Sequence, residues 1–320
     1  MVLERIYVVR HGFRSSWSVD PKSGVYSGIP SPTGIQGDPA LTSYGIDQSK
    51  EMGRHLMTLS PKVERVYSSP FYRCLQTMAP FIALQQQQIQ NGILEPGRSH
   101  ASGAPDSEPL LPEAGYAVTK ILPEHGIREW FGSAPFDHPE PAAPEVLKAM
   151  FPSYDETYVS AVKPSKRGET LEQLQERIAK ALRVIIEQCD ADGTRAIVLC
   201  SHAAVIILIG RILTGDSPAT VDVDDFHAYT CGLSVYGRGH TDGGNINGSA
   251  TRNMADTRDG RGPILFKLDA IKNLIGGWDC HMNSDCSFLS GGPERGWRFS
   301  GDESFPDTGS VSQTEVDSKL

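Results

Sequence analysis

The sequence has no apolar run long enough to span a bilayer. Its longest apolar stretch, residues 203–213, is broken by Gly210 and Arg211, whereas a transmembrane helix needs about 20 consecutive apolar residues. The first residues also lack the pattern of a secretory signal peptide, because Glu4 and Arg5 directly precede a short apolar run. These absences predict a cytoplasmic or nuclear location and no membrane partner.

Basic residues are not in excess, and cysteines are few. The 320 residues include 30 Lys and Arg against 39 Asp and Glu, a net charge of −9, whereas general nucleic-acid binders tend to be basic. The six cysteines are scattered, and the spacing of Cys280, His281 and Cys286 fits no zinc pattern. We therefore expect reduced thiols, no direct contact with nucleic acid, and neither a metal nor another cofactor.

Short β-branched and aromatic runs alternate with helical patterns along much of the chain. The candidate strands are 5–10, 63–68, 117–122, 195–200, 231–236 and 264–268, and the candidate helices are 43–59, 70–84 and 171–189. Ser69 is predicted to cap the second helix, with Pro70 in its first position, and Thr170 with Gln173 forms a capping box for the third. The alternation predicts an α/β fold, a three-layer α/β/α sandwich with a mainly parallel central sheet.

We expect one domain over residues 1–275 and a C-terminal extension over residues 276–320. Gly-, Pro- or polar-rich stretches predict insertions in the domain near residues 15–40, 85–115 and 237–263. The first half of the extension is expected to pack on the domain, and its polar end is expected to be disordered. The aromatic residues of that first half are Trp278, Phe288, Trp297 and Phe299.

Three candidate strands end in a cation or an imidazole. Arg10 and His11 close the first strand, with Arg14 just beyond, Arg73 follows the second, and His202 follows the strand at 195–200. Because the carboxyl ends of parallel strands lie at one edge of a sheet, we expect these side chains to converge. Arg73 would stand in the first turn of a helix, where the helix dipole also favours an anion. An imidazole flanked by guanidinium groups is suited to attack a phosphoryl group whose oxygens the arginines hold.

Six short motifs occur in order between residues 4 and 236. They are Arg10-His11-Gly12, Leu41-Thr42-x-x-Gly45-x-x-Gln48, Ser68-Ser69-Pro70-x-x-Arg73-Cys74-x-Gln76-Thr77, Glu129-Trp130, Gly168-Glu169-Thr170 and Ser201-His202-Ala203. Together they resemble the phosphoglycerate-mutase-like branch of the histidine phosphatase superfamily. Arg14 after Phe13, and the Glu129-Trp130 context, further resemble two groups within it. These are the phosphatases related to the suppressor-of-T-cell-receptor-signalling proteins, and the phosphatase-like domain of the small subunit of the fungal RNA polymerase III transcription factor tau.

The resemblance implies a metal-independent phosphomonoesterase with a phosphoglycerate-mutase-like fold. His11 would be the nucleophile and form a phosphohistidine that water then hydrolyses. Glu129 would be the acid and would need a raised pKa. The implied phosphate-binding groups, of which Arg10, Arg73 and His202 would also be catalytic, are Arg10, Arg14, Arg73, His202 and Ala203.

Several alternatives stay open at the level of the sequence. The domain could be a scaffold or a subunit of a transcription-factor complex with weak or no catalysis, and it could form a homodimer. A phosphomutase is disfavoured, because such enzymes usually carry an acidic residue and then Ser or Thr after Arg-His-Gly. The substrate could be a phosphorylated small molecule or a phosphoprotein.

Individual residues also have competing interpretations. Glu124 is a second candidate for the acid, and Glu129 could merely pair with Arg128. Ser201 beside His202 invites a serine-hydrolase interpretation, but the sequence contains no Gly-x-Ser-x-Gly elbow.

Overall fold

A computed structural model describes residues 2–29, 31–96, 116–216, 218, 220–239 and 277–299. The strands are β1 (Arg5–Arg10), β2 (Trp17–Val19), β3 (Tyr26–Gly28), β4 (Arg65–Ser68), β5 (Glu95–Pro96), β6 (Tyr116–Ala117), β7 (Ile121–Pro123), β8 (Ala196–Ser201), β9 (Leu233–Arg238) and β10 (Trp278–Asp285). The α-helices are α1 (Ser43–Leu56), α2 (Tyr72–Gln90), α3 (Pro144–Met150), α4 (Leu171–Asp192) and α5 (Ala203–Thr214), and a 3-10 turn covers His125–Ile127.

Six strands form the central sheet in the order β10-β9-β1-β8-β4-β7. The four strands β1, β8, β4 and β7 run parallel. Strand β9 pairs antiparallel with β1, and β10 pairs antiparallel with β9. The short pairs β2–β3 and β5–β6 lie outside this sheet.

Strand β1 explains why helices cover both faces of the sheet. Ile6 and Val8 are buried in the cluster that includes residues of α4 and α5, whereas Tyr7 and Val9 are buried in the cluster that includes residues of α1 and α2. Successive side chains of a strand point to opposite faces, so a continuous apolar run requires cover on both. The fold is the predicted three-layer α/β/α sandwich with a mostly parallel sheet.

Most of the predicted strands are present, with one clear error. The bounds of β1 are as predicted, and those of β4, β8 and β9 differ by one or two residues. The single strand predicted at 117–122 is wrong. Residues 116–117 pair with β5, and only 121–123 join the central sheet, beside β4. The candidate strand at 264–268 lies outside the described residues.

The second helix differs from its prediction at both ends. It begins at Tyr72, with Phe71 rather than Ser69 in the capping position and no side-chain cap. It also continues to Gln90, past the predicted end at residue 84, because glutamine is a good helix former. Buried Gln85 adds a tertiary contact, since its amide oxygen accepts a hydrogen bond from the Val118 N–H at 3.3 Å.

The other two helices are close to prediction. Helix α1 ends at Leu56, three residues earlier than predicted. The capping box of α4 is confirmed, because the Thr170 hydroxyl accepts from the Gln173 N–H and the Gln173 amide oxygen accepts from the Thr170 N–H. Gly193 ends this helix in the left-handed conformation.

The region predicted as a loop at 15–40 contains the hairpin β2–β3. The start of the extension packs on the domain as expected, because β10 is the edge strand of the central sheet and Trp278 is buried. The boundary at residue 275 stays a prediction, and residues 97–115, 240–276 and 300–320 lie outside the described part. Among the described helices, none is long and apolar enough to cross a membrane.

Candidate active site

The register of the parallel strands brings three motifs to one edge of the sheet. Arg10 at the end of β1 lies opposite Ser201 at the end of β8, and Ser68 at the end of β4 lies opposite Cys200. The residues that follow these ends, His11 among them, therefore enter a common space. The sheet thereby brings together residues that are almost two hundred positions apart in the sequence, such as His11 and Ser201.

His11 is held with one ring nitrogen occupied and the other available. Its backbone N–H donates to the Ser201 carbonyl at 3.0 Å, and its Nδ1 lies 2.9 Å from the carbonyl oxygen of Gly12. A carbonyl can only accept, so Nδ1 carries the hydrogen and Nε2 keeps its lone pair. Burial lowers the pKa of His11 well below its ordinary value, and nearby cations act in the same direction. His11 is therefore a neutral imidazole, as a nitrogen nucleophile must be.

The loop after His11 is held by side chains of the neighbouring helices. The Gly12 N–H donates to the Thr77 hydroxyl at 3.0 Å, and the Phe13 N–H donates to the Gln48 amide oxygen at 3.0 Å. Gly45 lets α1 approach this loop, since a Cβ there would lie 2.0 Å from the Phe13 oxygen. These contacts give Thr77, Gln48 and Gly45 a structural role in holding the loop beside His11.

Arg73 is a fully buried cation at the start of α2. Its Nη1 lies 3.2 Å from Oδ1 of Asp38, and its Nη2 lies 3.1 Å from Oε2 of Glu129. The guanidinium also lies over the ring of Phe71, 4.8 Å from its centre. The remaining donor, Nε, is buried and has no hydrogen-bond partner in the part of the chain that the structure describes. A buried, unpartnered donor is costly unless a ligand completes it.

Arg10 is anchored by main-chain carbonyls. Its Nη1 donates to the carbonyl of Ala228 at 2.6 Å and to the carbonyl of Arg295. Its buried Nε lacks a hydrogen-bond partner among the described residues, like that of Arg73. Burial lowers the pKa of Arg10 to about 10, with Arg295 and Arg73 contributing, so the group stays charged at neutral pH.

Arg14 adds a third buried guanidinium at the same edge. It is 5% exposed, its Nη1 donates to the Ser15 carbonyl at 2.9 Å, and its guanidinium lies 5.7 Å from the ring of Trp17. Ala203, the other predicted phosphate-binding residue, is the first residue of α5. Its N–H belongs to the turn whose N–H groups have no acceptor within the helix, which suits an anion at that position.

His202 occupies the capping position of α5 and makes polar contacts through both ring nitrogens. Its Nε2 lies 2.8 Å from the Ser69 hydroxyl, and its Nδ1 lies 3.2 Å from Oε2 of Glu129. Burial disfavours the charged ring, but the negative character of Cys74 and Glu129 outweighs this and raises the pKa of His202. The hydroxyl of Ser69, predicted to cap a helix, thus contacts an imidazole of the site instead.

Glu129 is an ionised carboxylate in this pocket. Burial opposes its ionisation, but the charge and hydrogen bond of His202 act the other way. With Arg73 and Arg14 adding to that attraction, the pKa of Glu129 lies well below its usual range. The expected raised pKa is therefore wrong for the pocket without phosphate. From the sequence, the expected partner of Glu129 was the neighbouring Arg128, whereas in the structure its partners are Arg73 and His202.

The competing interpretations of nearby residues can be compared with the structure. Glu124 is fully buried and accepts hydrogen bonds from Tyr158 and Ser160 and from two main-chain N–H groups. Its carboxylate is thus occupied in holding the loop around residues 158–161. Ser201 is buried, and its hydroxyl donates to the Ile127 carbonyl at 2.8 Å. Neither side chain is arranged for catalysis.

Sequence reasoning missed Asp38. This fully buried carboxylate binds the Arg73 guanidinium through Oδ1 and accepts the Tyr72 N–H through Oδ2. It lies in the Gly- and Pro-containing segment predicted as a loop insertion, and the one signal was a carboxylate shortly before the Leu41-Thr42 motif. Burial raises the pKa of Asp38 to about 6 even though Arg73 attracts its charged form.

The same pocket offers donor atoms for a cation. Ligand atoms of His11, Glu129 and His202 lie within 4.8 Å of one another. Their surroundings are unfavourable to a metal ion, because the buried guanidinium groups of Arg10, Arg14 and Arg73 would repel it. The absence of a metal from the mechanism stays a prediction, supported by this excess of positive charge.

Comparisons with known proteins agree with the motifs. A model of the histidine phosphatase superfamily (branch 1) matches residues 6–94 and 119–246. The transcription factor tau 55 kDa subunit of Saccharomyces cerevisiae is 28% identical over 309 residues, and ecdysteroid-phosphate phosphatase of Drosophila melanogaster is 26% identical over 196 residues. These alignments cover 93% and 60% of this chain but only 59% and 22% of the relatives' lengths.

Solved structures with similar folds include two phosphatases. Ecdysone phosphate phosphatase of Bombyx mori, in complex with tungstate, is 18% identical with a TM-score of 0.49, covering 73% of this chain and 88% of that one. Mycobacterial glucosyl-3-phosphoglycerate phosphatase is 13% identical with a TM-score of 0.42, covering 88% of this chain and 98% of that one.

Proposed function

This chain belongs to the histidine phosphatase superfamily, and we propose that it is a metal-independent phosphomonoesterase that forms a phosphohistidine on His11. The observation that carries the proposal is the state of the His11 ring. Its Nδ1–H is committed to the Gly12 carbonyl, and its lowered pKa leaves the Nε2 lone pair free for bond formation. The buried cations Arg10, Arg14 and Arg73 act electrostatically on His11, and guanidinium forks match the oxygens of a phosphate group.

Two buried donors support phosphate as the ligand. The Nε atoms of Arg10 and Arg73 have no hydrogen-bond partner within the described residues, while other nitrogens of each guanidinium are already occupied. A phosphoryl oxygen would satisfy each of them and restore the hydrogen bond that burial otherwise costs. Because the arginines are held by protein groups before the ligand binds, the charge developed during transfer meets preorganised donors.

The reaction then proceeds in two steps. Nε2 of His11 forms a bond to phosphorus as the ester P–O bond breaks, and the leaving oxygen takes a proton from Glu129. Water next attacks phosphorus and gives its proton to the Glu129 carboxylate, while the N–P bond breaks and inorganic phosphate leaves. Throughout, the Gly12 carbonyl accepts the Nδ1–H and stabilises the positive charge of the phosphorylated ring.

Glu129 must acquire a proton before the first step. A bound phosphate group places negative charge among the same arginines that keep Glu129 ionised, which raises the pKa of its carboxyl. The pKa of His202 is raised, and its Nδ1 lies 3.2 Å from Oε2 of Glu129, so the protonated form of this ring is a direct source of that proton. Glu129 thus becomes protonated because the substrate binds, and not because its carboxyl group is buried.

The test is phosphate release from p-nitrophenyl phosphate by the purified chain. We expect His11→Ala to abolish release, whereas His281→Ala should not change it. His281 is exposed, beside Gly237 and Arg5 at the other end of β1, and is a matched histidine control. A rapidly quenched wild-type reaction should carry an acid-labile, alkali-stable phosphoryl group that His11→Ala lacks. Full activity of His11→Ala, or loss of wild-type activity on addition of EDTA, would contradict the proposal.

A second candidate is a role as a subunit of a protein complex. The similarity to the transcription factor tau 55 kDa subunit extends over 93% of this chain and therefore supports it. The two roles are separable, since assembly does not require a nucleophile. We expect the tagged chain, and equally its His11→Ala variant, to co-purify from its own cells in a species much larger than the chain. Elution of the endogenous protein as a small species would contradict this second role.

A further inference from the structure

The segment Cys286–Phe299, here named the C-terminal strap, crosses the edge of the sheet where the pocket lies. It follows β10 and lies outside the residues that the family model matches. At its start, the ring of Phe288 stacks on His55 at 4.2 Å, and the Ser290 N–H donates to Glu51 of α1. At its end, Phe299 lies 5.9 Å from the ring of Trp130, the residue after Glu129.

Between these two ends the strap touches the pocket itself. The carbonyl of Arg295 accepts a hydrogen bond from Nη1 of Arg10, and the Arg295 guanidinium lies 3.7 Å from the ring centre of Phe13. The preceding residue is tied down as well, since the Glu294 carbonyl accepts from the Thr230 N–H at 3.1 Å. The strap therefore contacts Arg10 and Phe13, which flank His11 and Gly12 in the sequence.

Arg295 adopts a backbone conformation that is unusual for its residue type. Its φ is 49°, in the left-handed region that residues with a Cβ seldom occupy. Such a conformation persists only where surrounding contacts enforce it. Here it allows one residue to direct its carbonyl to Arg10 and its guanidinium over Phe13.

Resting on the proposed function, we propose that the C-terminal strap is a positioning element of the phosphate pocket that acts through Arg10. The carbonyls of Arg295 and Ala228 take the two N–H groups of Nη1. This anchors the guanidinium, and its buried Nε, which has no hydrogen-bond partner among the described residues, is left for a phosphoryl oxygen. A part of the chain outside the family match thereby sets the orientation of a group inside it.

The experiment compares substitutions at Arg295 that share the loss of charge but differ in backbone freedom. Arg295→Gly removes the guanidinium and keeps access to a positive φ. Arg295→Pro cannot adopt it, because proline holds φ near about −65°, and Arg295→Val disfavours it. We expect orthophosphate to bind the Pro and Val variants about tenfold more weakly than the Gly variant in isothermal titration, the effect of one lost hydrogen bond to a charged group.

A double-mutant cycle separates positioning from general damage. In an Arg10→Lys chain the Nη1 anchor no longer exists, so adding Arg295→Pro should change the orthophosphate Kd less than about twofold. Equal affinities of the Gly, Pro and Val variants, or a full loss on adding Arg295→Pro to Arg10→Lys, would overturn the inference. Thermal unfolding of each variant shows whether it has folded. If Arg295→Pro fails to fold, the comparison of Arg295→Val with Arg295→Gly tests the inference instead.

These outcomes are distinguishable from failure of the proposed function. If wild type neither binds orthophosphate nor releases it from p-nitrophenyl phosphate, the proposed function is wrong. If wild type does both and the Arg295 variants behave alike, only the positioning role is wrong.

Discussion

Oε2 of Glu129 lies 3.2 Å from Nδ1 of His202, and the contact with this carboxylate helps to raise the pKa of the imidazole. The same oxygen also receives Nη2 of Arg73. Two positive partners on one carboxylate oxygen explain why the pKa of Glu129 lies below its usual range despite burial. The lowered pKa of Glu129 and the raised pKa of His202 mean that the imidazole holds a proton more tightly than the carboxylate does.

Replacing Glu129 should affect substrates according to their leaving groups. For Glu129→Gln we expect kcat/KM on an alkyl phosphate to fall by about 10²–10⁴, the range for loss of a general acid. This parameter reports the steps up to phosphorylation of His11, before the hydrolysis in which Glu129 acts as a base. The fall on p-nitrophenyl phosphate should be much smaller, because p-nitrophenolate leaves without a proton. Steady-state kinetics with both substrates measures the difference.

Glu140→Gln is the matched control for that variant. Glu140 is about half exposed, and its carboxylate pairs with Arg128 at 3.7 Å. Arg128 precedes Glu129 in the sequence, but this ion pair lies outside the pocket. Glu140→Gln should leave the activity on both substrates unchanged. Equal losses on the two substrates in Glu129→Gln would show that this carboxylate positions groups and does not donate the proton.

Asp38 should control activity through Arg73 in a pH-dependent way. An Asn at this position offers one acceptor oxygen where Asp38 uses two, for the Arg73 guanidinium and the Tyr72 N–H. We expect Asp38→Asn to lower kcat/KM about tenfold at pH 8, from the loss of one charged hydrogen bond. Since the pKa of Asp38 is raised to about 6, wild type itself loses this charge as the pH falls through 6.

The ratio of wild-type to Asp38→Asn kcat/KM should therefore shrink between pH 8 and pH 5. Taking the ratio removes the titration of the substrate phosphate, which is common to both proteins. A ratio that stays constant across this range would mean that Asp38 does not act through its charge.

Loss of the Ser201 hydroxyl should mainly lower stability, whereas loss of the Ser69 hydroxyl should mainly lower activity. The Ser201 hydroxyl binds the Ile127 carbonyl, so Ser201→Ala should retain kcat/KM within about threefold while the melting temperature falls by about 2–4 °C. The Ser69 hydroxyl contacts Nε2 of His202, so Ser69→Ala should lower kcat/KM more than it lowers the melting temperature. Abolished activity in Ser201→Ala would favour the serine-hydrolase interpretation instead.

The fold class was predictable because its signals are local. The apolar run before Arg10 has the composition of a buried strand, and the capping box of α4 closes with its own residues, so both signals can be recognised without distant parts of the chain. The errors occurred where tertiary contacts override local pattern. Ser69 has the ideal chemistry for a helix cap, but the imidazole of His202 competes for its hydroxyl.

The candidate residues were predictable, whereas their protonation and partners were not. Motifs at three strand ends named His11, Arg73 and His202, because parallel strands must deliver their carboxyl ends to one edge. The neighbours that set the pKa of Glu129 depend on how segments more than fifty residues apart pack. Asp38 escaped notice for the same reason, since its partner Arg73 lies 35 positions away.

The sequence by itself determined the strand–helix alternation, the residues at the strand ends and the family to which the motifs belong. Only the tertiary structure decided which ring nitrogen of His11 is free, that the pKa of Glu129 is lowered, and that the carbonyl of Arg295 anchors Arg10. The physical reason is the range of the forces involved. Periodicity and capping act within a few residues, whereas burial, charge and hydrogen bonding in a pocket depend on every segment that surrounds it.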